Sequence, residues 1–403
     1  MNMLKTILKV LLAFGAAILL FYLFLGVYLS LRYSPEYMNR EFFQELDNVY
    51  AYRLLPERKL TASQDPFSFA ADTSQEPAVQ EAFQSGAKVD NLDALLEETD
   101  TQAVLVIQDD NLIYERYFKG QQRDSIVTTY SVAKSFTSAL IGIAIEEGYI
   151  KSVDDPITDY IPELAERDPR FQEIRIRDLL MMASGLRFTE EGGLPSTNDG
   201  SLTFSFDDLR KLALTGTKIV EPPGKTFLYN DYNPILLGII LERATGKPVT
   251  TYLQEKIWNP VGMEYAGSWT LDSEEKGFEK MFVGLNARAI DFAKLGRLYL
   301  NNGNWNGNQI VPSEWVTLST EDNGLISDEK VHYGYYWWVY QCTPDTRDYT
   351  ALGDHGQFIY VSPEKKLIVI RNGEDYGLNP DNMEWPEKFC LFAKAMPEPG
   401  ATD

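Results

Sequence analysis

The chain has 403 residues, 44% of them hydrophobic, with 37 Lys+Arg against 59 Asp+Glu and a formal net charge of −22. That length and apolar content exclude a disordered chain, and the acidity disfavours contact with a nucleic-acid backbone. Two cysteines exclude a disulfide framework or a four-cysteine zinc site, and the two histidines, His332 and His355, stand too far apart for a paired-histidine metal helix.

The first element is apolar. Val10 to Leu31 is a run of 22 residues without a charge, preceded by Lys5 and Lys9 and followed by Arg32. As a helix it is about 33 Å long, enough to cross a bilayer. A cleaved signal peptide has a shorter apolar stretch and a small-x-small site, and Tyr28–Leu31 offers no such site. The expectation is an uncleaved transmembrane anchor over 1–32, giving a single-pass membrane protein. Flanking Lys and Arg do not fix its orientation; the globular part is expected outside the cytoplasm, on the periplasmic side.

Residues 33–84 read as a membrane-proximal segment and a linker. Within 33–60, Phe42, Phe43, Leu46, Val49 and Tyr50 recur at near-helical spacing, which fits a membrane-proximal helix or a strap over the main domain. Residues 62–80 are rich in Ser, Gln, Asp, Thr and Pro, a linker composition. The globular domain is expected over 85–397. Ala103–Ile107, the turn Asp109-Asp110-Asn111 and Leu112–Tyr114 predict a β-hairpin. A long apolar helix is predicted over 131–147, stopped by Gly148, followed by mainly helical patterns over 150–320. Further strands are predicted in Tyr335–Tyr340, Phe358–Val361 and Leu367–Ile370, the last two joined by a turn at Ser362-Pro363-Glu364-Lys365. The fold class is therefore α/β (α+β). An antiparallel sheet is built from N- and C-terminal strands and flanked by helices, with an inserted, mainly helical lobe and an N-terminal transmembrane helix. A cleft between sheet and lobe is the natural site.

Five Ser-x-x-Lys sequences start at Ser85, Ser131, Ser273, Ser327 and Ser362. Four lie in linker, acidic or turn contexts. Ser131-Val132-Ala133-Lys134 alone opens an apolar helix. Residues i and i+3 share a helix face, so Lys134 reaches the Ser131 hydroxyl, and the helix N-terminus favours a developing oxyanion. Burial would favour a neutral lysine able to act as base. The bland alternative is a Ser131 N-cap with Lys134 snorkelling to water.

Phe227-Leu228-Tyr229-Asn230-Asp231-Tyr232-Asn233-Pro234-Ile235-Leu236-Leu237-Gly238 adds a second motif. Together with the Ser131 motif it resembles the serine β-lactamase and esterase superfamily, on the class C side. Asp154-Asp155-Pro156, Ile176–Leu180 with Ser184-Gly185-Leu186, and Asn259–Met263 strengthen the likeness, which runs from about residue 100 to 375. Gly284-Leu285-Asn286, Trp305-Asn306-Gly307 and Gly353–Gln357 resemble the 6-aminohexanoate-dimer (nylon-oligomer) hydrolases within it.

The resemblance implies an acyl-enzyme serine hydrolase acting on a short linear amide or ester, with no metal or organic cofactor. It implies Ser131 as nucleophile, with Lys134 and Tyr229 handling its proton. Asp354-His355-Gly356-Gln357 falls at the superfamily's Lys-Thr-Gly or His-x-Gly strand motif. That implies an oxyanion hole from the Ser131 and Gln357 amides, with Asp231, His355 and Gly356 around the substrate. Two departures stand out. No lysine occupies the Lys-Thr-Gly position, which argues against β-lactamase or D-amino-acid peptidase activity. Asp231 replaces a neutral Asn, which favours a Lys134 ammonium and makes a Tyr229 phenolate the expected base. A non-catalytic ligand-binding protein on this fold is the rival of another class. Expected partners are the small-molecule substrate and, through the N-terminal helix, the membrane, with no nucleic acid and an open oligomeric state. Cys342 and Cys390 are free to pair in an oxidising compartment if the fold brings them together.

Overall fold

The computed structural model describes residues 2–44, 46–190, 198–343, 346–381 and 383–399. The elements that position the site are helices α1 (Asn2–Arg32), α2 (Pro35–Phe43), α3 (Glu76–Ser85), α4 (Ala133–Glu146), α5 (Tyr232–Thr245), α6 (Ala289–Leu300) and α7 (Glu384–Ala395). The strands are β1 (Glu57–Leu60), β2 (Ala70–Ala71), β3 (Thr101–Gln108), β4 (Asn111–Tyr117), β5 (Val127–Thr128), β6 (Gly267–Thr270) and β7 (Leu285–Ala287). β8 (Val331–Tyr333), β9 (Trp338–Tyr340), β10 (Asp348–Gly353), β11 (Gln357–Ser362) and β12 (Leu367–Gly373) complete the two larger sheets.

The main sheet has eight strands in the order β8-β9-β10-β11-β12-β3-β4-β2. C-terminal strands β8 to β12 run antiparallel in sequence, and β12 then pairs with N-terminal β3 from Leu367↔Gln108 through Ile370↔Leu105. The apolar runs predicted as strands are continuous because both faces of the sheet are covered. Ala103, Leu105, Ile107, Ile359, Val361, Ile368 and Ile370 point into one core, shared with α4 and α6. Val104, Val106, Phe358, Tyr360, Leu367 and Val369 point into the other, under α3 and α7. The period-2 alternation thus sorts one strand between two cores.

The insertion between β4 and β8 is mainly helical, but its strands β5, β6 and β7 form a second sheet, β1-β6-β7-β5, with β1 from the N-terminal segment. This sheet corrects the linker expectation. β1 pairs with β6 over Glu57↔Thr270 to Leu60↔Gly267, β2 runs parallel to β4, and α3 buries Val79, Ala82 and Phe83. Residues 57–84 are therefore part of the folded body. Tyr37, Arg40 and Leu46 are buried, which fits the strap reading of the membrane-proximal segment.

α4 is apolar on nearly every side and buried from Ala133 to Ala144. Each of Phe136, Leu140, Ile141 and Ile143 contributes about 1.5–3 kcal/mol by leaving water. This fixes the helix whose first turn carries the candidate nucleophile. α1 is one helix long and apolar enough to cross a membrane, over Lys5–Arg32.

Candidate active site

Ser131 lies in a 3-10 turn, Tyr130–Val132, that feeds α4. The residue before it, Tyr130, has φ 45°, left-handed for a residue with a side chain. Such a conformation costs about 1–3 kcal/mol and persists only where packing imposes it. Here Tyr130 is buried, with its ring 4.8 Å from the His355 ring. The end of β10 presses on the same turn. A Cβ on Gly353 would stand 2.4 Å from the Thr129 carbonyl oxygen and 2.9 Å from the Ser131 amide nitrogen, so only glycine permits this approach.

Lys134 is 1% exposed. Its Nζ donates to Ser131 Oγ at 2.9 Å and to the Phe282 carbonyl at 3.1 Å, and pairs with Asp231 Oδ1 at 3.0 Å. An ammonium has three protons to donate, and three acceptors surround this one. The snorkelling alternative is excluded by this placement, and Ser131 makes no N-cap bond, since α4 begins beyond it.

Tyr229 reaches the other side of Ser131, whose hydroxyl hydrogen-bonds its phenol. Its ring stacks on Trp338 at 6.2 Å, meets Tyr333 edge-on at 6.5 Å, and lies 4.7 Å from Lys134 Nζ. Burial, and next the Asp231 carboxylate, push the phenol well above its ordinary value of 10; the Ser131 hydrogen bond pulls weakly the other way. Burial and Asp231 thus work against the expected Tyr229 phenolate. Asp231 enters as the residue before α5, and its side chain faces Lys134. These groups open on a cleft of about 650 Å³.

A serine whose hydroxyl is bonded to a buried lysine and to a phenol, at the head of an apolar helix beside a sheet, matches a known family. The β-lactamase family profile matches residues 90–382. The chain belongs to the β-lactamase family. A 6-aminohexanoate-dimer hydrolase from Paenarthrobacter ureafaciens is 26% identical over 366 residues, covering 84% of this chain and 88% of that one. Among solved structures, a candidate 6-aminohexanoate-dimer hydrolase from Bacillus anthracis superposes with a TM-score of 0.74. It is 24% identical and covers 86% of this chain and 92% of that one. A class C β-lactamase mutant superposes with a TM-score of 0.57 at 14% identity, covering 78% and 98%. This β-lactamase-family chain thus has the serine-hydrolase fold of relatives that act on amide bonds.

Within this family member, Ser131, Lys134, Tyr229 and Asp231 are brought together. The strand motif is not arranged as the sequence suggested. His355 is committed elsewhere, with Nδ1 3.0 Å from the Glu374 carbonyl and Nε2 3.2 Å from Asp47 Oδ1. It faces an adjoining cavity with Trp338, Tyr376 and Met383, while Asp354 lines the cleft itself. Gly356, at φ 75°, is glycine because a Cβ would stand 1.9 Å from Arg371 Nη1, a core guanidinium that donates to the Gly356 carbonyl at 2.8 Å. That reason is internal and involves no substrate. Gln357 starts β11, opposite Gly353 in the ladder, and is 1% exposed. Its amide side chain bonds the Gly373 carbonyl and Asn372. Gly353, its ladder partner, abuts the Ser131 amide.

Two stretches of wall were missed. Arg40, Glu41, Gln44, Leu46 and Asp47 come from the membrane-proximal segment. Gly200, Ser201, Phe204 and Ser205 come from the insertion. The near-helical apolar spacing of 33–60 was the available signal for the first; the second carries no motif.

Proposed function

We propose that this chain is a membrane-anchored serine hydrolase that cleaves a short linear amide or ester through an acyl-enzyme on Ser131. The observation that carries the reading is the 2.9 Å contact of Ser131 Oγ with a buried Lys134 that is itself paired with Asp231.

In this reading Ser131 Oγ attacks the carbonyl carbon. Its proton passes to Lys134 Nζ as Nζ yields one to Asp231. Tyr229, protonated at rest, gives its phenolic proton to the leaving nitrogen or oxygen, and the Lys134 ammonium stabilises the phenolate that results. That phenolate then takes a proton from the water that cleaves the acyl-enzyme, and the Asp231 proton returns through Lys134. The Ser131 and Gln357 amides hold the oxyanion; the approach of Gly353, opposite Gln357 in the ladder, to the Ser131 amide supports this.

The Asn2–Arg32 helix supports anchoring, with the membrane-proximal segment up to about 56 as a strap and the hydrolase domain from about 57 onward. The Cys342–Cys390 disulfide supports an oxidising, extracytoplasmic compartment. The family relatives support a linear amide as substrate.

The test is turnover of a p-nitrophenyl ester, 6-aminohexanoate dimer and nitrocefin by the full-length protein beside Ser131→Ala. The expected result is hydrolysis of ester and dimer, reduced at least about 10³-fold in the variant. Equal rates for the two proteins would overturn the reading, and turnover of nitrocefin alone would redirect the substrate to β-lactams.

A further inference from the structure

We propose that His355 is a positioning residue for the nucleophile. Its imidazolium clasps the membrane-proximal strap at Asp47 and, through Tyr130, holds the turn that presents Ser131. This rests on the serine-hydrolase reading above and adds a proton-dependent control of the same site.

The partners of the ring fix its charge. Nδ1 lies 3.0 Å from the Glu374 carbonyl oxygen and Nε2 3.2 Å from Asp47 Oδ1. The hydrogen bond to His355 holds the Asp47 carboxyl below its ordinary value, so it is a carboxylate. A carbonyl and a carboxylate only accept, and only the imidazolium has two N–H groups to give them. Loss of one proton leaves one donor for two acceptors. The Asp47 contact is the one that yields, because that side chain is 87% exposed and water replaces the lost donor.

The strap is gripped twice from one place. Glu374, just after β12, takes His355 on its carbonyl and the Tyr50 hydroxyl on its carboxylate, and Gln102 of β3 donates to the Tyr50 oxygen at 3.2 Å. Between Asp47 and Tyr50 the strap buries Val49, and on either side Leu46 and Ala51. Leu46 and Asp47 line the same cleft as Ser131.

Tyr130 carries the clasp to Ser131. Its left-handed backbone persists only where packing imposes it. Its hydroxyl is buried with no hydrogen-bond partner among the described residues, so ring packing does the holding. The His355 ring stands 4.8 Å away at 43°. The strap supplies further walls, since Tyr130 shares a small cavity with Leu46, Asn48, Ala51, Tyr52 and Leu55. An opened clasp frees both supports, and Ser131 loses the fixed geometry on which attack depends.

The charges around the ring set the sign. The Asp47 hydrogen bond raises the imidazole above its ordinary value of 6.5, against burial, and the Asp47 and Asp354 charges and the Glu374 carbonyl add to it. Asp375 and Tyr376 line the cavity that His355 faces; Arg371, on β12, is turned to the Gly356 and Thr99 carbonyls. The clasp is therefore complete at low pH and opens as pH rises through that raised value.

The experiment measures the second-order rate of fluorophosphonate labelling of Ser131 in the full-length protein from about pH 5 to 10, with a thermal melt of each variant. The expected wild-type rate falls at least about fivefold as the clasp opens. Asp47→Asn, at an exposed position, moves that fall about one unit to lower pH. His355→Gln labels at least about tenfold more slowly and shows no fall. His332→Gln, which changes the other histidine, keeps the wild-type profile. A fall that stays in place in Asp47→Asn, or folded His355→Gln labelling within about twofold of wild type at low pH, would overturn the proposal. If His355→Gln does not melt cooperatively, the Asp47→Asn profile decides alone. Labelling of Ser131 with an unmoved profile sinks this proposal and leaves the hydrolase reading; no labelling of Ser131 at any pH sinks both.

Discussion

Asp231→Asn tests the proton route. The carboxylate stands 3.0 Å from Lys134 Nζ, with side chains only 12% and 2% exposed. At an effective dielectric of 20 the attraction is about 5 kcal/mol, and losing one partner of a buried pair costs about 3–5 kcal/mol. An amide oxygen still faces the Lys134 ammonium as a dipole, so the fold survives with a smaller loss. The catalytic loss is separate. If Asp231 is where the serine proton ends, its removal lowers kcat/KM about 10²–10⁴-fold, the usual worth of a general base. A phenolate mechanism predicts the reverse. The Asp231 charge raises the Tyr229 phenol, so removing it eases phenolate formation, speeds the reaction and moves its alkaline rise to lower pH. The assay is kcat/KM for a p-nitrophenyl ester from pH 5 to 10, wild type beside variant, with a thermal melt as control. A variant as fast as wild type or faster, with an acid-shifted rise, refutes the relay through Lys134 to Asp231.

Tyr229→Phe separates acid from base. Loss of a leaving-group acid costs an amide substrate about 10²-fold or more but a p-nitrophenyl ester, whose leaving group needs no proton, less than about tenfold; equal losses on both would assign Tyr229 to the base. Asp348, at the start of β10, gives a stability prediction. Burial raises its carboxyl from 3.8 to about 6, offset in part by Tyr360 and Ser362. The folded state therefore holds its proton more tightly than the unfolded state, and the site loses about 3 kcal/mol of stability as pH rises from about 4 to above 6. Asp348→Asn keeps an acceptor for the Tyr360 hydroxyl and removes that loss. Its melting temperature should exceed wild type by several degrees at pH 7.5 and by little at pH 4.5; an equal offset at both would show that the carboxyl does not titrate there.

The grouping of these side chains was legible where it follows from local spacing. Ser131 and Lys134 needed only the i, i+3 relation and an apolar helix, and Tyr229 with Asp231 only a short motif before a second apolar helix. β3, β4, β11 and β12 were legible because each carries an unbroken apolar run of three to five residues. β10 was not, since Asp348-Tyr349-Thr350-Ala351-Leu352-Gly353 has no apolar alternation, and strands of two to four residues in the second sheet carry too little pattern. Gly356 looked like a substrate-facing glycine because its real neighbour, Arg371, is 15 residues away in sequence. His355 looked free because Asp47 is 308 residues away. A strap was one of two readings of 33–60, but its place over the cleft lies in long-range burial of Tyr37 and Arg40, which sequence spacing does not encode.

The central claim is that Ser131 is the nucleophile. Incubation of the full-length protein with a fluorophosphonate, followed by peptide mass mapping, tests it most directly. The account predicts one stoichiometric adduct on the peptide containing Ser131, abolished in Ser131→Ala and slowed in Asp231→Asn. An unlabelled Ser131 in a protein that still melts cooperatively, or an adduct on a different serine, would contradict it.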